Sequence, residues 1–115
     1  MNPVLWTKSF HFSASFVRDG RVYGHNFNLL VTLRHADGMD ESAVEKTIEE
    51  SLIQKIHSRD LSTHVDFLKN IPITDLNLLT AFDKIISSLI SPLKLHSLAL
   101  ERDSRTRFTL EVRGV

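Results

Sequence analysis

The residues of this chain best suited to chemistry cluster around His25. From Phe12 to Asn26 the sequence reads FSASFVRDGRVYGHN. An open catalytic zinc is held by three protein ligands plus a water, so a histidine site needs three converging imidazoles. This segment offers one. The phenyl ring of Phe16 cannot ligate a metal, and the neutral phenol of Tyr23 is a poor zinc ligand. His11 and His35 are poor substitutes. His35 is ten residues along the same expected strand as His25, roughly 33 Å away at about 3.3 Å per residue. His25 therefore reads either as a residual ligand or as an ordinary, partly buried histidine beside a strand start. Arg102, Arg105 and Arg107 form a cationic cluster that would receive a phosphate or simply sit in a solvated turn.

These residues must be positioned by a small set of elements. Phe10, Phe12, Ala14 and Phe16 share one parity while His11, Ser13 and Ser15 take the other, which predicts a strand from about Val4 to Phe16 with its aromatic face buried. Asp19-Gly20-Arg21 supplies a hairpin turn. A second strand follows from Tyr23 to Arg34. Asp37-Gly38 breaks it. Val44, Ile48, Leu52 and Ile56 recur every four residues, with Ile53 widening the stripe, which predicts a helix from about Glu41 to Ile56 capped by Asp40 or Ser42. Residues 57–73 read as a long connection. Thr74 is a good N-cap for a second helix whose stripe is Leu78, Leu79, Phe82, Ile85, Ile86 and Leu89, stopped at Ser91-Pro92. Two more strands, Leu95 to Leu100 and Thr106 to Val112, flank a turn at Asp103-Ser104-Arg105. The predicted order is β-β-α-α-β-β, an α+β arrangement of one antiparallel sheet with two helices on one face.

Bulk composition narrows the function. The chain has 115 residues, 42% hydrophobic and 24% charged, with 14 basic residues against 14 acidic ones. One domain spanning 1–115 is expected. A formal charge of zero gives no general drive toward nucleic acid or anionic membranes. There are no cysteines, which removes disulfides, thiolate metal sites and thiol nucleophiles together. No stretch approaches the roughly 20 apolar residues of a membrane span, and the N-terminus lacks the apolar core of a signal peptide. The expectation is a soluble, unprocessed, cytoplasmic protein. Its long Phe-, Leu- and Val-rich strands would be an aggregation hazard with unpaired edges. Oligomerisation into a barrel would remove those edges.

The order of elements, together with Phe12-Ser13-Ala14, Gly24-His25-Asn26-Phe27, Gly38-Met39, Thr74 with Asn77, and Glu101, resembles the 6-pyruvoyl-tetrahydropterin synthase and 6-carboxytetrahydropterin synthase family. The resemblance runs over almost the whole chain. It implies the tunnelling fold, in which subunits associate through strand edges into rings that can stack, as trimers or hexamers. It implies zinc and a pterin substrate, a carboxylate at Glu101 that anchors the pterin's guanidine-like edge, and a pocket completed around Thr74 and Asp75. A planar carboxylate can accept two parallel N–H bonds, as in bidentate Arg–carboxylate pairs.

Against that pattern, F-S-A-A-H then H-G-H-N, the first two zinc histidines are replaced by Phe16 and Tyr23, and His25 alone persists. The family's cysteine falls near Asp19, its Asp-His pair on His57-Ser58, and its pocket glutamate on Leu76. A serine cannot serve as the proton relay that a histidine provides. The expectation is a pterin-synthase-like protein without zinc, without an assigned catalytic residue, and with a residual site for a pterin or purine-like ring at Glu101. Two other readings stay open: a metal-free pterin-modifying enzyme (aldolase- or epimerase-like) using Glu101 with His57 or Tyr23, and a purely structural oligomer. Each residue also has a plain alternative. Glu101 would pair with Arg102 or Arg113 at a strand end, His57 would sit solvated in a loop or cap the preceding helix, and Asp19 would serve only its turn.

Overall fold

The computed structural model describes residues 4–102 and 105–112. Alternation of apolar and polar side chains drives two long strands, β1 (Leu5–Arg18) and β2 (Arg21–Arg34). They pair antiparallel in unbroken register from Leu5↔Arg34 to Arg18↔Arg21. Asp19 (φ 53°) and Gly20 (φ 76°) turn the chain between them. Positive φ at both central residues is what a two-residue hairpin of matching twist demands, and Asp-Gly supplies it.

A helical segment follows. Asp40 caps α1 (Glu41–Ile48) by accepting from the Ala43 N–H, so of the two expected caps it is Asp40 that is used. The expected helix to Ile56 is not one regular α-helix. Glu49–Ile53 forms a π turn, with the Gln54 N–H reaching back to the Glu49 carbonyl, before α2 (Gln54–Ile56) resumes. Leu52 and Ile53, neighbours in sequence within this turn, are both buried. A π turn is wider than an α turn by one residue. The expected long connection contains a two-residue strand, β3 (Arg59–Asp60), parallel to β1, and a 3₁₀ turn at Asp66–Leu68.

Thr74 caps α3 (Asp75–Ile90), which buries Leu78, Leu79, Phe82, Ile86 and Ile90. Strands β4 (Leu95–Arg102) and β5 (Thr106–Glu111) complete a five-stranded sheet in the order β3-β1-β2-β4-β5. Residues 103 and 104 of the expected final turn lie outside the described residues. A bulge between Thr32 and Leu33 shifts the register of β2 against β4.

The helices cover one face of the sheet. Beneath them Phe10, Phe12, Phe27, Leu29, Val31, Leu33, Leu98 and Leu100 meet Ile48, Leu52, Phe82 and Ile86 in a single apolar core. Phe12 is its centre, stacked on Phe27 at 4.9 Å and edge-on to Phe82 at 6.1 Å. Among the described residues no polar side chain is fully buried, and no helix is long and apolar enough to cross a membrane. The second sheet face is left open. Its side chains are mostly polar, as alternation favours on a face turned away from the core, with Leu5, Val17 and Val22 as exposed apolar exceptions.

Candidate functional site

Strand parity sorts the candidate residues between the two faces. On the helix-covered face, past the ends of the helices, lie Phe16, Tyr23 and His25. Phe16 and Tyr23 are direct cross-strand partners, and their rings stack at 5.6 Å with an interplanar angle of 20°. His25 lies tilted against Phe16 at 5.8 Å and edge-on to Phe27 at 5.7 Å. The three positions are thus adjacent, as a three-ligand site would need, but two of them present carbon rings to the third. Among the described residues no three His, Asp or Glu side chains come together in a way that would hold a metal. The residues present do not fit a three-imidazole zinc site.

The same end of the core is filled from the other side. The Arg18 guanidinium lies over the Phe16 ring at 5.1 Å and donates to the Ile73 carbonyl at 2.6 Å. Arg102 Nε sits 3.1 Å from Asp75 Oδ1, an ion pair in which the N–H is not aimed along a hydrogen bond. The Arg102 guanidinium also faces the Phe108 ring at 5.5 Å. The crevice bounded by Phe16, Arg18, Phe27, Ile73, Asp75 and Arg102 is too tight for a water molecule. Asp75 is therefore engaged with a residue of its own chain, and Thr74 is used as a cap, its hydroxyl accepting from the Asn77 N–H at 3.1 Å. Thr74→Ala is expected to lower stability by about 1 kcal/mol. Urea denaturation measures this, and a loss below about 0.3 kcal/mol would mean the cap is idle.

Glu101 lies on the opposite, open face. Its expected partners were Arg102 or Arg113; the observed partner is Arg107 on β5. Neighbouring strand residues point to opposite faces, which takes Arg102 to the helix side, and Arg113 lies outside the described residues. The Arg107 Nε and Nη2 both approach Glu101 Oε2, at 3.2 and 3.1 Å. Oε1 receives only a long 3.5 Å contact from Asn28 Nδ2, and Asn28 Oδ1 accepts from the Ser9 hydroxyl at 2.8 Å. Register explains the grouping: His11 is opposite Asn28, Asn28 opposite Glu101, and Glu101 opposite Arg107. Four polar residues make one lateral row across four strands. The structure thus does not gather Glu101 with Thr74 and Asp75 within one protomer, and it divides the cationic cluster, Arg107 on the open face and Arg102 beneath the helices.

His57 follows α2. Its Nδ1 accepts the Ser13 N–H at 3.0 Å, while the Ser58 N–H donates to the Ser13 carbonyl at 2.6 Å. An accepting Nδ1 carries no proton, which assigns the hydrogen of the neutral ring to Nε2. His57 ties the end of the helix to the edge of β1. Ser58 (φ 60°) begins the short β3 pairing there. Asp19 lies at the hairpin tip, and Leu76, which the resemblance aligns with a pocket glutamate, is 67% exposed. Beside the β1 edge an open hollow of about 360 Å³ is lined by Ser13, Ser15, His25, Asn26, Ser58 and Arg59 among others.

This geometry has a close counterpart among solved structures. The chain superposes on 6-pyruvoyl tetrahydropterin synthase from Caenorhabditis elegans with a TM-score of 0.82, covering 97% of each chain at 22% sequence identity. The chain has the tunnelling fold. No family model and no curated relative matches the sequence.

On this tunnelling fold, the polar row of the open face is the feature that sequence reasoning missed. Asn28 was expected only as a strand residue, and Arg107 as part of the last strand and of the cationic cluster with Arg102 and Arg105. Only the cross-strand register, Asn28 with Glu101 on β2–β4 and Glu101 with Arg107 on β4–β5, sets them on either side of Glu101. The signal available was weaker: Asn28 interrupts a strand of large apolar residues on the parity shared with Asn26, Leu30 and Thr32.

Proposed function

We propose that the chain is a 6-pyruvoyl-tetrahydropterin synthase-like protein without the zinc-dependent synthase reaction, retaining a site for a pterin or purine-like ring at Glu101. The observation that carries this reading is the stack of Phe16, Tyr23 and His25: carbon rings stand where converging imidazoles would be required. Glu101 supports the second half, because one carboxylate oxygen keeps most of its hydrogen-bonding capacity. Loss of the metal leaves a binding function as the best-supported role, in a cytoplasmic setting. A homo-oligomer, trimer or hexamer, fits the sheet. β5 has no further strand neighbour among the described residues, and β1 pairs with β3 only at Ala14 and Ser15.

A metal-free enzyme finds less support. Its candidate groups are dispersed, with Glu101 on the open face, Tyr23 on the other, and His57 bound to Ser13. A purely structural oligomer is the second reading, favoured by the closed crevice around Asp75 and Arg102.

The test is a thermal-shift screen with neopterin, biopterin and guanosine, with turnover of a pterin triphosphate followed in parallel. A ligand at a hundredfold over its Kd should add about 2.7 kcal/mol of stability, and Glu101→Ala should abolish the shift. A shift that survives Glu101→Ala would sink the anchor assignment. No shift with any of them favours the structural reading, and turnover by the unmodified protein would overturn the loss of activity.

A further inference from the structure

Going along the lateral row from β5 toward β2, the hydrogen-bonding atoms around Glu101 run in a fixed order. Oε2 is an acceptor, Oε1 is an acceptor, and Asn28 Nδ2 is a donor directed at Oε1. The Asn28 amide orientation is not arbitrary: the Ser9 hydroxyl can donate or accept, but the Glu101 carboxylate only accepts, which puts Nδ2 on the Glu101 side and Oδ1 on the Ser9 side. Acceptor–acceptor–donor is the complement of donor–donor–acceptor. That is the pattern shown by a 2-amino-4-oxopyrimidine edge: an exocyclic amine, a ring N–H, then a carbonyl. At present the first acceptor is occupied by two N–H groups of Arg107, a planar guanidinium of the chain standing where the amine of such a ring would go. Arg107 is 55% exposed at its side chain and Glu101 is 23% exposed, so the guanidinium is free to swing into solvent and the carboxylate stays in place.

We propose that Asn28 is the specificity-determining residue of this site and Arg107 its resident competitor. A ring with the 2-amino-4-oxopyrimidine edge displaces Arg107 from Oε2, gives its ring N–H to Oε1, and receives the Asn28 Nδ2–H on its carbonyl. This deepens the reading of Glu101 given above and rests on it. No bond is made or broken beyond the exchange of hydrogen bonds. Exposed ion pairs of this kind are weak, so displacement by a ligand that satisfies both oxygens is feasible. A group that meets the Asn28 donor with another donor would be rejected, because specificity comes from the polar atom left unpaired.

Titration calorimetry with two probes tests the assignment: neopterin, whose edge is donor–donor–acceptor, and a 2,4-diaminopteridine, whose neutral edge is donor–acceptor–donor and so mismatches both Glu101 Oε1 and the Asn28 donor. The native chain should prefer neopterin. Asn28→Asp turns the donor into an acceptor and should reduce that preference by about tenfold or more, leaving only the mismatch at Oε1. Arg107→Ala should tighten neopterin binding by roughly threefold to fivefold, the scale of an exposed ion pair. If neopterin binds in a Glu101-dependent way but Asn28→Asp leaves the preference unchanged, or Arg107→Ala leaves the Kd unchanged, this inference fails and the anchor reading stands. If the native chain shows no binding while Arg107→Ala binds neopterin, the competitor role is upheld. If neither binds, both readings fall together.

Discussion

Replacing Phe12 with alanine is expected to remove about 3–5 kcal/mol of stability, the range for truncating a buried phenylalanine. Phe12 is 1% exposed. It touches both layers of the molecule: its ring stacks on Phe27 of the neighbouring strand and meets the edge of Phe82 on α3. Losing it removes the transfer energy of the ring and leaves a cavity between sheet and helix that neither layer can close alone. A domain of this size holds a net stability of about 5–15 kcal/mol, so the variant should be marginal at room temperature. Urea denaturation checks it: the midpoint should fall with little change in slope. A loss below about 1 kcal/mol would mean that the aromatic cluster is not the centre of the fold.

The second large effect concerns metal. The unmodified protein, purified without chelators, is expected to carry far less than one zinc per chain. The double variant Phe16→His and Tyr23→His is expected to acquire zinc close to stoichiometry. The substitutions put imidazoles at two positions that already flank His25, since Phe16 and Tyr23 are direct cross-strand partners and the Phe16 ring lies 5.8 Å from that of His25. Phe16 is buried, so without metal the variant should be destabilised by its new polar ring, by roughly 1–3 kcal/mol. Zinc should recover that loss and more, because a metal that binds only the folded state stabilises it by mass action. Elemental analysis together with melting curves with and without a chelator reads both effects. Stoichiometric zinc in the unmodified protein would overturn the assignment of Phe16 and Tyr23. A double variant that folds and still takes no zinc would mean that the three positions do not converge.

How much of this was legible depends on how far apart the interacting residues lie in sequence. The β1–β2 hairpin was readable because its evidence is local: alternating parity on both sides of Asp19-Gly20. The caps at Asp40 and Thr74 were readable for the same reason, as was the stripe of α3. The strands run slightly past the expected ends, to Arg18 and from Arg21, because a tight two-residue turn lets pairing continue to the tip. The pairing of β3 was not readable. Two residues carry no period, and only the neighbouring β1 edge makes them a strand.

The faces of Glu101 and Arg102 were legible in principle, since consecutive strand residues must diverge, and that divergence excludes the partner first expected for Glu101. Arg107 was not, because it reaches Glu101 through the register of β4 with β5 rather than through proximity to the turn. The aromatic replacements at Phe16 and Tyr23 were visible from residue type alone. Their mutual stacking, and the plugging of the neighbouring crevice by Arg18 and Arg102, needed the folded chain.

The π turn has a consequence for everything after it. A regular helix advances by about 100° per residue, so the single inserted residue between Glu49 and Ile53 works as a phase spacer. Val44 and Ile48 are indexed to the sheet by one angular setting. Ile56 and the imidazole that follows are indexed one residue later, and that offset is what brings Nδ1 of His57 to the Ser13 amide. Excising one residue there would leave a smoother cylinder and a clasp pointing a third of a turn away from the strand it holds.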